Sequence, residues 1–436
     1  MKFYDRSNEL ALLEENRQVA EHSANFTLLI GRRRVGKTAL IVESLKNQKS
    51  LYLFVSRKSE VLLCEEFQLA AAEALDIQIL GKADRFGEFF GQLLKYSEEN
   101  SFTLVIDEFQ DFERVNKSIF SEIQNLWDKH RAKSKINFIA CGSIYSMMTR
   151  LFEDEREPLF GRLTSKIVLQ PFATGVIKQI LGDHNPRWKP EDLLCLYMLT
   201  GGTPKYVSLL MDRGATTKAK MLKYLCGGGS PLLTDGKDVL ISEFGKDYTT
   251  YFSILQLIAS GKTSQSEIDS IVGKNTGAYL HNLEREYTLI ERNKPIFSKP
   301  ESRNIKWRIR DNYLRFWFRF VYANQSLVET EKYELLHELI ERDYQQYSGL
   351  ILEDYFRKKL MEEGPYSSVG SSWDNKGTNE IDVVALNELS NEALVAEVKT
   401  NPKHISMSTL ESKAASIAKP LEKYKVDYAA FSLADM

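Results

Sequence analysis

The stretch Gly31-Arg32-Arg33-Arg34-Val35-Gly36-Lys37-Thr38 decides how the rest of the chain is read, because of what stands on either side of it. Before it runs the apolar Phe26-Thr27-Leu28-Leu29-Ile30, a strand pattern, and after it the helix-prone Ala39-Leu40-Ile41-Val42-Glu43-Ser44-Leu45. Glycines at the two ends let the backbone bend until successive N–H groups face one anion, and the positive end of the helix adds to that field. A strand, a glycine-punctuated turn and a helix in this order form a phosphate-binding P-loop. Gly31, Arg32, Arg33, Arg34, Val35, Gly36, Lys37, Thr38 and Ala39 are therefore expected to hold a nucleoside triphosphate. Lys37 would reach the β- and γ-phosphates and take part in catalysis, and Thr38 would offer its hydroxyl to Mg²⁺. A basic turn before an ordinary helix is the alternative, and a second motif argues against it.

That motif is Phe102-Thr103-Leu104-Val105-Ile106, a strand ending in Asp107-Glu108. Between the two lie a second strand pattern at residues 50–55 and a helical pattern at residues 60–75. Alternating strands and helices imply an α/β fold, an open sheet whose ligands gather at the carboxyl ends of its strands. Asp107 would then hold the metal ion, and Glu108 would orient and deprotonate the attacking water. A fourth strand, Ile136-Asn137-Phe138-Ile139-Ala140-Cys141, ends in Gly142-Ser143. Ser143 can either sense the γ-phosphate from between the P-loop and the acids or simply cap a helix. Arg162, in Pro158-Leu159-Phe160-Gly161-Arg162, can supply charge to a transferring phosphoryl group in its own subunit or a neighbour's, or be a surface arginine.

With these pieces in view the chain resembles the archaeal-type P-loop ATPase family, related to the AAA+ and STAND groups. The resemblance rests on Phe3-Tyr4-Asp5-Arg6-Ser7-Asn8-Glu9, the P-loop, Leu104 to Gln110, Cys141-Gly142-Ser143, Pro158-Leu159-Phe160-Gly161-Arg162 and Gly201-Gly202-Thr203-Pro204-Lys205-Tyr206. It implies an ATPase core over residues 1–170, an opening box lining the base of ATP, and a helical lid over residues 171–235. Pro204 of that lid would contact the nucleotide. The box carries Asp5 where the family usually has glycine.

Gly227-Gly228-Gly229-Ser230-Pro231 marks a boundary. Beyond it, a helix ending at Gly261, a capping box at Ser264-Gln265-Ser266-Glu267, a third helix over residues 276–286 and the alternating Ile305, Trp307 and Ile309 suggest a winged helix over residues 236–312. Arg292, Lys294, Lys299, Arg303, Lys306, Arg308 and Arg310 crowd its hairpin. Such a wing can lie along a DNA backbone, or it can be a solvated hairpin on a packing module. Tyr313, Phe316, Trp317 and Phe320 share one helical face, which reads as interdomain core within connecting helices 313–345 rather than a base-stacking platform.

From residue 346 a small α/β domain is expected. A helix over residues 350–362 carries Glu353, a strand over 379–386 carries Asp382, and a strand over 393–399 carries Glu397 and Lys399 on one face. This pattern looks like a PD-(D/E)xK nuclease, a restriction-endonuclease-like fold. Asp382 and Glu397 would be metal ligands for Mg²⁺ or Mn²⁺, Lys399 the catalytic lysine, and Glu353 would complete the site. A domain that keeps this fold without its chemistry is the competing reading.

Composition narrows the partners. Hydrophobic residues make up 43% of the 436 and charged residues 27%, with a formal charge of -2, so any nucleic-acid surface must be local. DNA is the expected macromolecular partner, and a homo-oligomer would allow Arg162 to act on a neighbour. Four separated cysteines without a metal-ligand spacing read as buried thiols. With no signal-peptide pattern and no bilayer-length apolar run, a cytoplasmic protein without membrane contact is expected.

Overall fold

A computed structural model describes residues 1–77, 83–244, 248–302, 304–374 and 379–436. It contains two compact units, residues 3–170 and residues 171–436 together with residues 1–2.

The first unit is built on five parallel strands: β1 (Asn25–Ile30), β2 (Ser50–Phe54), β3 (Phe102–Asp107), β4 (Ile136–Gly142) and β5 (Ser165–Val168). Their order across the sheet is β2-β3-β4-β1-β5. Every residue of β1, β3 and β4 is buried, so these strands appear in the sequence as continuous apolar runs with no polar alternation. The two-residue period survives in what each side chain meets. Phe26, Leu28 and Ile30 join a large cluster with Phe86, Phe90 and Phe138, whereas Leu29 turns to Leu40, Ile41 and Ile139 on the other face. From β1 the chain crosses to β2 and works back through β3 and β4, while β5 lies on β1's other side. A crevice therefore opens at the carboxyl end of β1, where Gly31 begins.

In the second unit, helices Thr174–His184, Pro190–Thr200, Pro204–Asp212 and Lys218–Leu225 come first. Pro190 and Pro204 stand at first helical turns, where a missing N–H costs nothing. Helices Pro231–Phe244, Tyr248–Ala259, Gln265–Val272 and Gly277–Arg285 lead into the antiparallel hairpin β6 (Ile290–Asn293) and β7 (Lys306–Ile309). Ser264 and Glu267 cap the Gln265–Val272 helix reciprocally, as their spacing required. Helix Asn312–Phe316 then passes into a π-helical turn, Trp317–Val321. Tyr313, Phe316, Trp317 and Phe320 are all buried there, and the Trp317 indole donates to Leu233 O at 2.8 Å. The aromatic stripe is core and offers no platform for bases.

One helix, Tyr333–Glu363, runs through residue 346 without a break. After it come β8 (Ser368–Trp373), β9 (Glu380–Asn387), β10 (Glu392–Val398) and, beyond helix Met407–Ala414, β11 (Lys425–Phe431). They form a mixed sheet in the order β11-β10-β9-β8, with only the β10–β11 pair parallel.

The basic hairpin differs from its expectation in one respect. Arg308 binds Glu291 and Asp354, Arg310 reaches Glu291 at 3.7 Å, Arg292 reaches Glu284 at 2.9 Å and Lys306 reaches Glu380 at 3.1 Å. Much of its charge is thus neutralised, by Glu291 of the hairpin itself, by Glu284 just before it, and by Asp354 and Glu380 from far along the chain. Its connecting loop also docks on β8: Ile296 N donates to Ser371 O at 2.9 Å and Trp373 Nε1 to Asn304 Oδ1 at 3.0 Å. Arg303 lies outside the described residues.

Candidate active site

Strand order brings the nucleotide motifs together. Because β4 lies between β1 and β3, Ser143 at its end stands between the P-loop after β1 and the acids at the end of β3. Adjacent strands are about 4.8 Å apart, so the three motifs span roughly one triphosphate.

The P-loop owes its shape to two left-handed residues, Arg34 at φ 75° and Gly36 at φ 95°. Gly31 is required for a different reason. A Cβ there would sit 2.8 Å from Leu169 O, so any side chain would push the loop off β5. Lys37 is 7% exposed and folds back along the loop, its Nζ donating to Gly31 O at 2.7 Å and Arg32 O at 3.1 Å. Burial lowers its pKa, opposed in part by the charges of Glu108 and Asp107. Arg32, Arg33, Val35 and Ala39 complete the loop and the first turn of helix Lys37–Ser44.

Asp107 is the hub of the metal side. Its Oδ2 lies 3.4 Å from the Thr38 hydroxyl and accepts a 2.6 Å hydrogen bond from the Tyr52 hydroxyl, while its Oδ1 accepts from Glu108 N at 2.9 Å. A threonine hydroxyl facing a carboxylate across the end of the sheet is a hard-oxygen pair that fits Mg²⁺. Burial, followed by the bond to Asp107, pushes the Tyr52 phenol well above its ordinary pKa, so it stays a donor. Tyr52 did not emerge from the sequence, because an alternating tyrosine on an edge strand looks like any other β residue. It fixes Oδ2, the same carboxylate oxygen that faces Thr38. Tyr52→Phe is expected to raise the Mg²⁺ concentration needed for half-maximal ATP turnover about tenfold, the usual size of an outer-shell loss. An unchanged Mg²⁺ titration would remove Tyr52 from this role.

Glu108 has φ 52°, a left-handed turn that lifts it off the end of β3. Its Oε2 accepts from Ser143 Oγ at 2.7 Å and from Gln110 Nε2 at 2.5 Å. Ser143 is thus bonded to the acid assigned to water activation. Gln110, fully buried, is a second residue the sequence reading passed over. A Cβ on Gly142 would come 2.5 Å from Gln110 Oε1, so the glycine before Ser143 makes room for that amide.

Arg162 sits elsewhere. It precedes β5, which runs parallel to β1 with Thr27 opposite Ser165 and Ile30 opposite Val168. It therefore lies at the amino edge of the sheet while the P-loop leaves the carboxyl edge, and its guanidinium binds Asp128 Oδ2 at 3.0 Å. At about 3.3 Å per residue the strand separates the two. This topology sets it apart from its own P-loop, so it stands either as a surface arginine paired with Asp128 or as a charge offered to a neighbouring copy.

The opening box explains its own departure. Asp5 has φ 58° and Arg6 φ 75°, so the position where the resemblance leads to glycine being expected is a left-handed one that Asp tolerates better than most residues. Arg6 is buried and donates to Gln170 O at 2.6 Å. Pro204 belongs to the second compact unit, at the start of helix Pro204–Asp212 with Thr203 before it. All four cysteines are buried and unpaired.

Comparison with known proteins agrees with this geometry. Residues 3–210 match the family described as an ATPase domain predominantly from Archaea. Over those residues the chain is similar to this ATPase family. It is an α/β P-loop protein, and ATP hydrolysis with a nucleotide-bound Mg²⁺ is the activity of such a domain. Residues 317–413 match a family of archaeal and bacterial proteins of unknown function. An uncharacterized protein of Methanocaldococcus jannaschii is 28% identical over 413 residues, 91% of this chain and 87% of that one. An uncharacterized ATP-binding protein of the same organism is 51% identical over 47 residues, 11% of this chain and 76% of that one. A Walker-type ATPase of Pyrococcus abyssi shares the fold, with a TM-score of 0.54 and 20% identity, over 72% of this chain and 96% of that one. Among the described residues no helix of this ATPase is long and apolar enough to cross a membrane.

The C-terminal residues also converge. Extending the β9–β10 register one pair beyond Val383 and Ala396 sets Glu397 opposite Asp382, so the two carboxylates share a face with Lys399. Lys399 Nζ lies 3.0 Å from Asp382 Oδ2 and 2.9 Å from Glu397 Oε1. Burial would lower its pKa, but Glu397 and Asp382 outweigh that and raise it. Lys413 adds a second cation at 3.2 Å from Glu397. Glu353, on the long helix, faces Arg357 at 3.5 Å, and its pKa is raised to about 8 by burial, with Asp382 and Asp354 adding to the effect. Among the described residues, no three His, Cys, Asp or Glu side chains come together as a metal site. Glu353, Asp382 and Glu397 therefore form a lysine-bridged pair with an outlying glutamate, and the three-acid cradle for Mg²⁺ or Mn²⁺ is not formed.

Proposed function

We propose that ATP binding and hydrolysis in residues 1–170 control the engagement of DNA by the rest of the chain. Residues 171–235 would act as a helical lid, 236–312 as a winged helix, 313–345 as connecting helices and 346–436 as a PD-(D/E)xK-like domain. The observation that carries the ATPase half is the convergence of Lys37, Thr38, Asp107, Glu108 and Ser143 at the carboxyl ends of adjacent strands. When bound, Mg²⁺ neutralises charge on the β- and γ-phosphates. Thr38 and Asp107 would hold it, Lys37 would bind the phosphates, and Glu108 would take a proton from the attacking water. Ser143 and Gln110 keep Glu108 from swinging toward solvent.

A second reading adds phosphodiester cleavage by the C-terminal domain. What favours it is the contact of Lys399 with both Asp382 and Glu397, on a mixed sheet entered from a helix that carries Glu353. The lysine-bridged acids speak for a domain that grips DNA, and cleavage asks them to release the lysine. The test is incubation of purified protein with Mn²⁺, with and without ATP, against linear duplex, branched and single-stranded DNA. Cleavage that Lys399→Ala abolishes while ATP turnover persists would establish the second reading. Binding without any product would leave the first. ATP-independent behaviour in both assays would remove the coupling.

A further inference from the structure

Within the second unit, the turn after helix Tyr248–Ala259, strand β7, the π-helical turn and the long helix Tyr333–Glu363 surround a cleft of about 440 Å³. Its walls carry five cations, Arg315 and Arg319 among them, and four acids, Glu353, Asp354, Glu380 and Asp382. We propose that this cleft binds a nucleoside phosphate, the terminus of a single nucleic-acid strand or a free nucleotide, through Arg315, Arg319 and the Tyr347 hydroxyl.

Three observations support it. First, Arg308, Arg315 and Arg357 all converge on one carboxylate, Asp354, with Arg315 Nη1 at 2.7 Å from Oδ2. Even with Glu291 sharing Arg308 and the Asp382 carbonyl sharing Arg357, three guanidiniums bring more N–H donors than these acceptors use, and planar donor forks suit phosphate oxygens. Second, Arg319 lies beyond Arg315 across the π-helical turn, lines the same cleft, and forms no ion pair within 4.0 Å among the described residues. Third, Tyr347 lines the cleft at 5% exposure with a hydroxyl that is buried and has no hydrogen-bond partner. A buried orphan hydroxyl is uncommon enough to need an explanation, and a ligand oxygen supplies one.

Size and surface fix the class. A cleft of 440 Å³ is in the range that encloses a small molecule and is far too small for a duplex, whose major groove alone is about 12 Å wide. Trp307 and Tyr347, at 6% and 5% exposure, add only a small apolar area to its wall. A phosphate held by Arg315 and Arg319 would share the cleft with Glu353 and Asp382, so the inference deepens the phosphodiester reading of residues 346–436 and rests on it for the ligand class.

The test is equilibrium binding of a labelled, 5′-phosphorylated single-stranded pentathymidylate to the full chain in EDTA, with a blunt duplex and thymidine monophosphate as the other arms. The single strand is expected to bind more tightly than the duplex. Arg319→Gln should weaken it about tenfold and Tyr347→Phe about threefold, with basal ATP turnover unchanged. Competition by the monophosphate would support a free nucleotide as the ligand, and its failure to compete would support a strand end. Equal affinity of wild type and both variants, or preference for the duplex, overturns the inference. If Arg319→Gln does not fold, Tyr347→Phe decides alone. Since EDTA prevents metal-dependent cutting, cleft binding with no cleavage in the Mn²⁺ assay would sink the second reading and leave this one standing.

Discussion

Lys37→Ala is expected to lower ATP turnover by about 10²–10³-fold, the usual loss when one preorganised charge is removed from developing negative charge. The reason lies in where the ammonium is held. Lys37 is 7% exposed, at the mouth of a glycine-bounded turn, with its Nζ on Gly31 O and Arg32 O. Those two carbonyls aim it along the loop that faces the phosphates, and burial keeps water from screening it. Asp107 and Glu108 nearby share the sign of the phosphates, Arg33 adds a further positive charge, and Cys141 is a neutral thiol because burial pushes its pKa well up. Phosphate release from ATP by wild type and variant, at equal helical content, checks the expectation. A variant retaining a tenth or more of the wild-type rate would exclude Lys37 from the phosphate site.

The largest expected loss of stability comes from Asp354→Ala, about 3 kcal/mol, because it takes the shared countercharge from three partly buried guanidiniums, leaving Arg308 only Glu291, Arg357 only Glu353 at 3.5 Å and Arg315 with no ion pair among the described residues. Burial by itself would raise the pKa of Asp354. The charges of Arg308, Arg357 and Arg315 overcome that and hold it well below the usual carboxylate range. A depressed folded-state pKa stabilises fully above the unfolded value near 3.9, and the contribution is lost as pH falls below it toward the folded value. Wild type should thus show an acid limb below about pH 4 that is shallower in Asp354→Ala. Thermal unfolding of both proteins at pH 3 to 7 measures it. If the difference between them stays constant across that interval, the carboxylate is not the group responsible.

These two sites differ in how much of them the sequence carries. The nucleotide site is written locally. A P-loop needs glycines at fixed offsets between a strand and a helix, and an acid pair needs only the end of an apolar strand, so Gly31, Lys37, Thr38, Asp107 and Glu108 can be named from a linear reading. Tyr52 and Gln110 cannot, since nothing local marks the tyrosine or glutamine that a neighbouring strand will bring against a carboxylate. The cis or trans role of Arg162 needed the parallel pairing of β1 and β5, a property of two segments far apart in the chain.

The C-terminal half shows the same division more sharply. Alternation put Glu397 and Lys399 on one face, but which residue opposes Glu397 depends on register, and a slip of one position would send Asp382 to the other side of the sheet. The charge of the β6–β7 hairpin was legible as a count of arginines and lysines. Its neutralisation was not, because Glu291 meets Arg308 only through the pairing of the two strands, and Asp354 and Glu380 approach from other elements.

By itself the sequence determined that this protein carries an ATPase core, because phosphate binding is encoded in a short backbone turn. Only the tertiary structure decided that Arg162 lies at the wrong edge for its own nucleotide, that Lys399 bridges two acids, and that spare guanidinium donors meet an orphan tyrosine hydroxyl in one cleft. The physical reason is range. Turn geometry is set by neighbours along the chain, whereas charge pairing and burial are set by whichever surfaces the fold presses together.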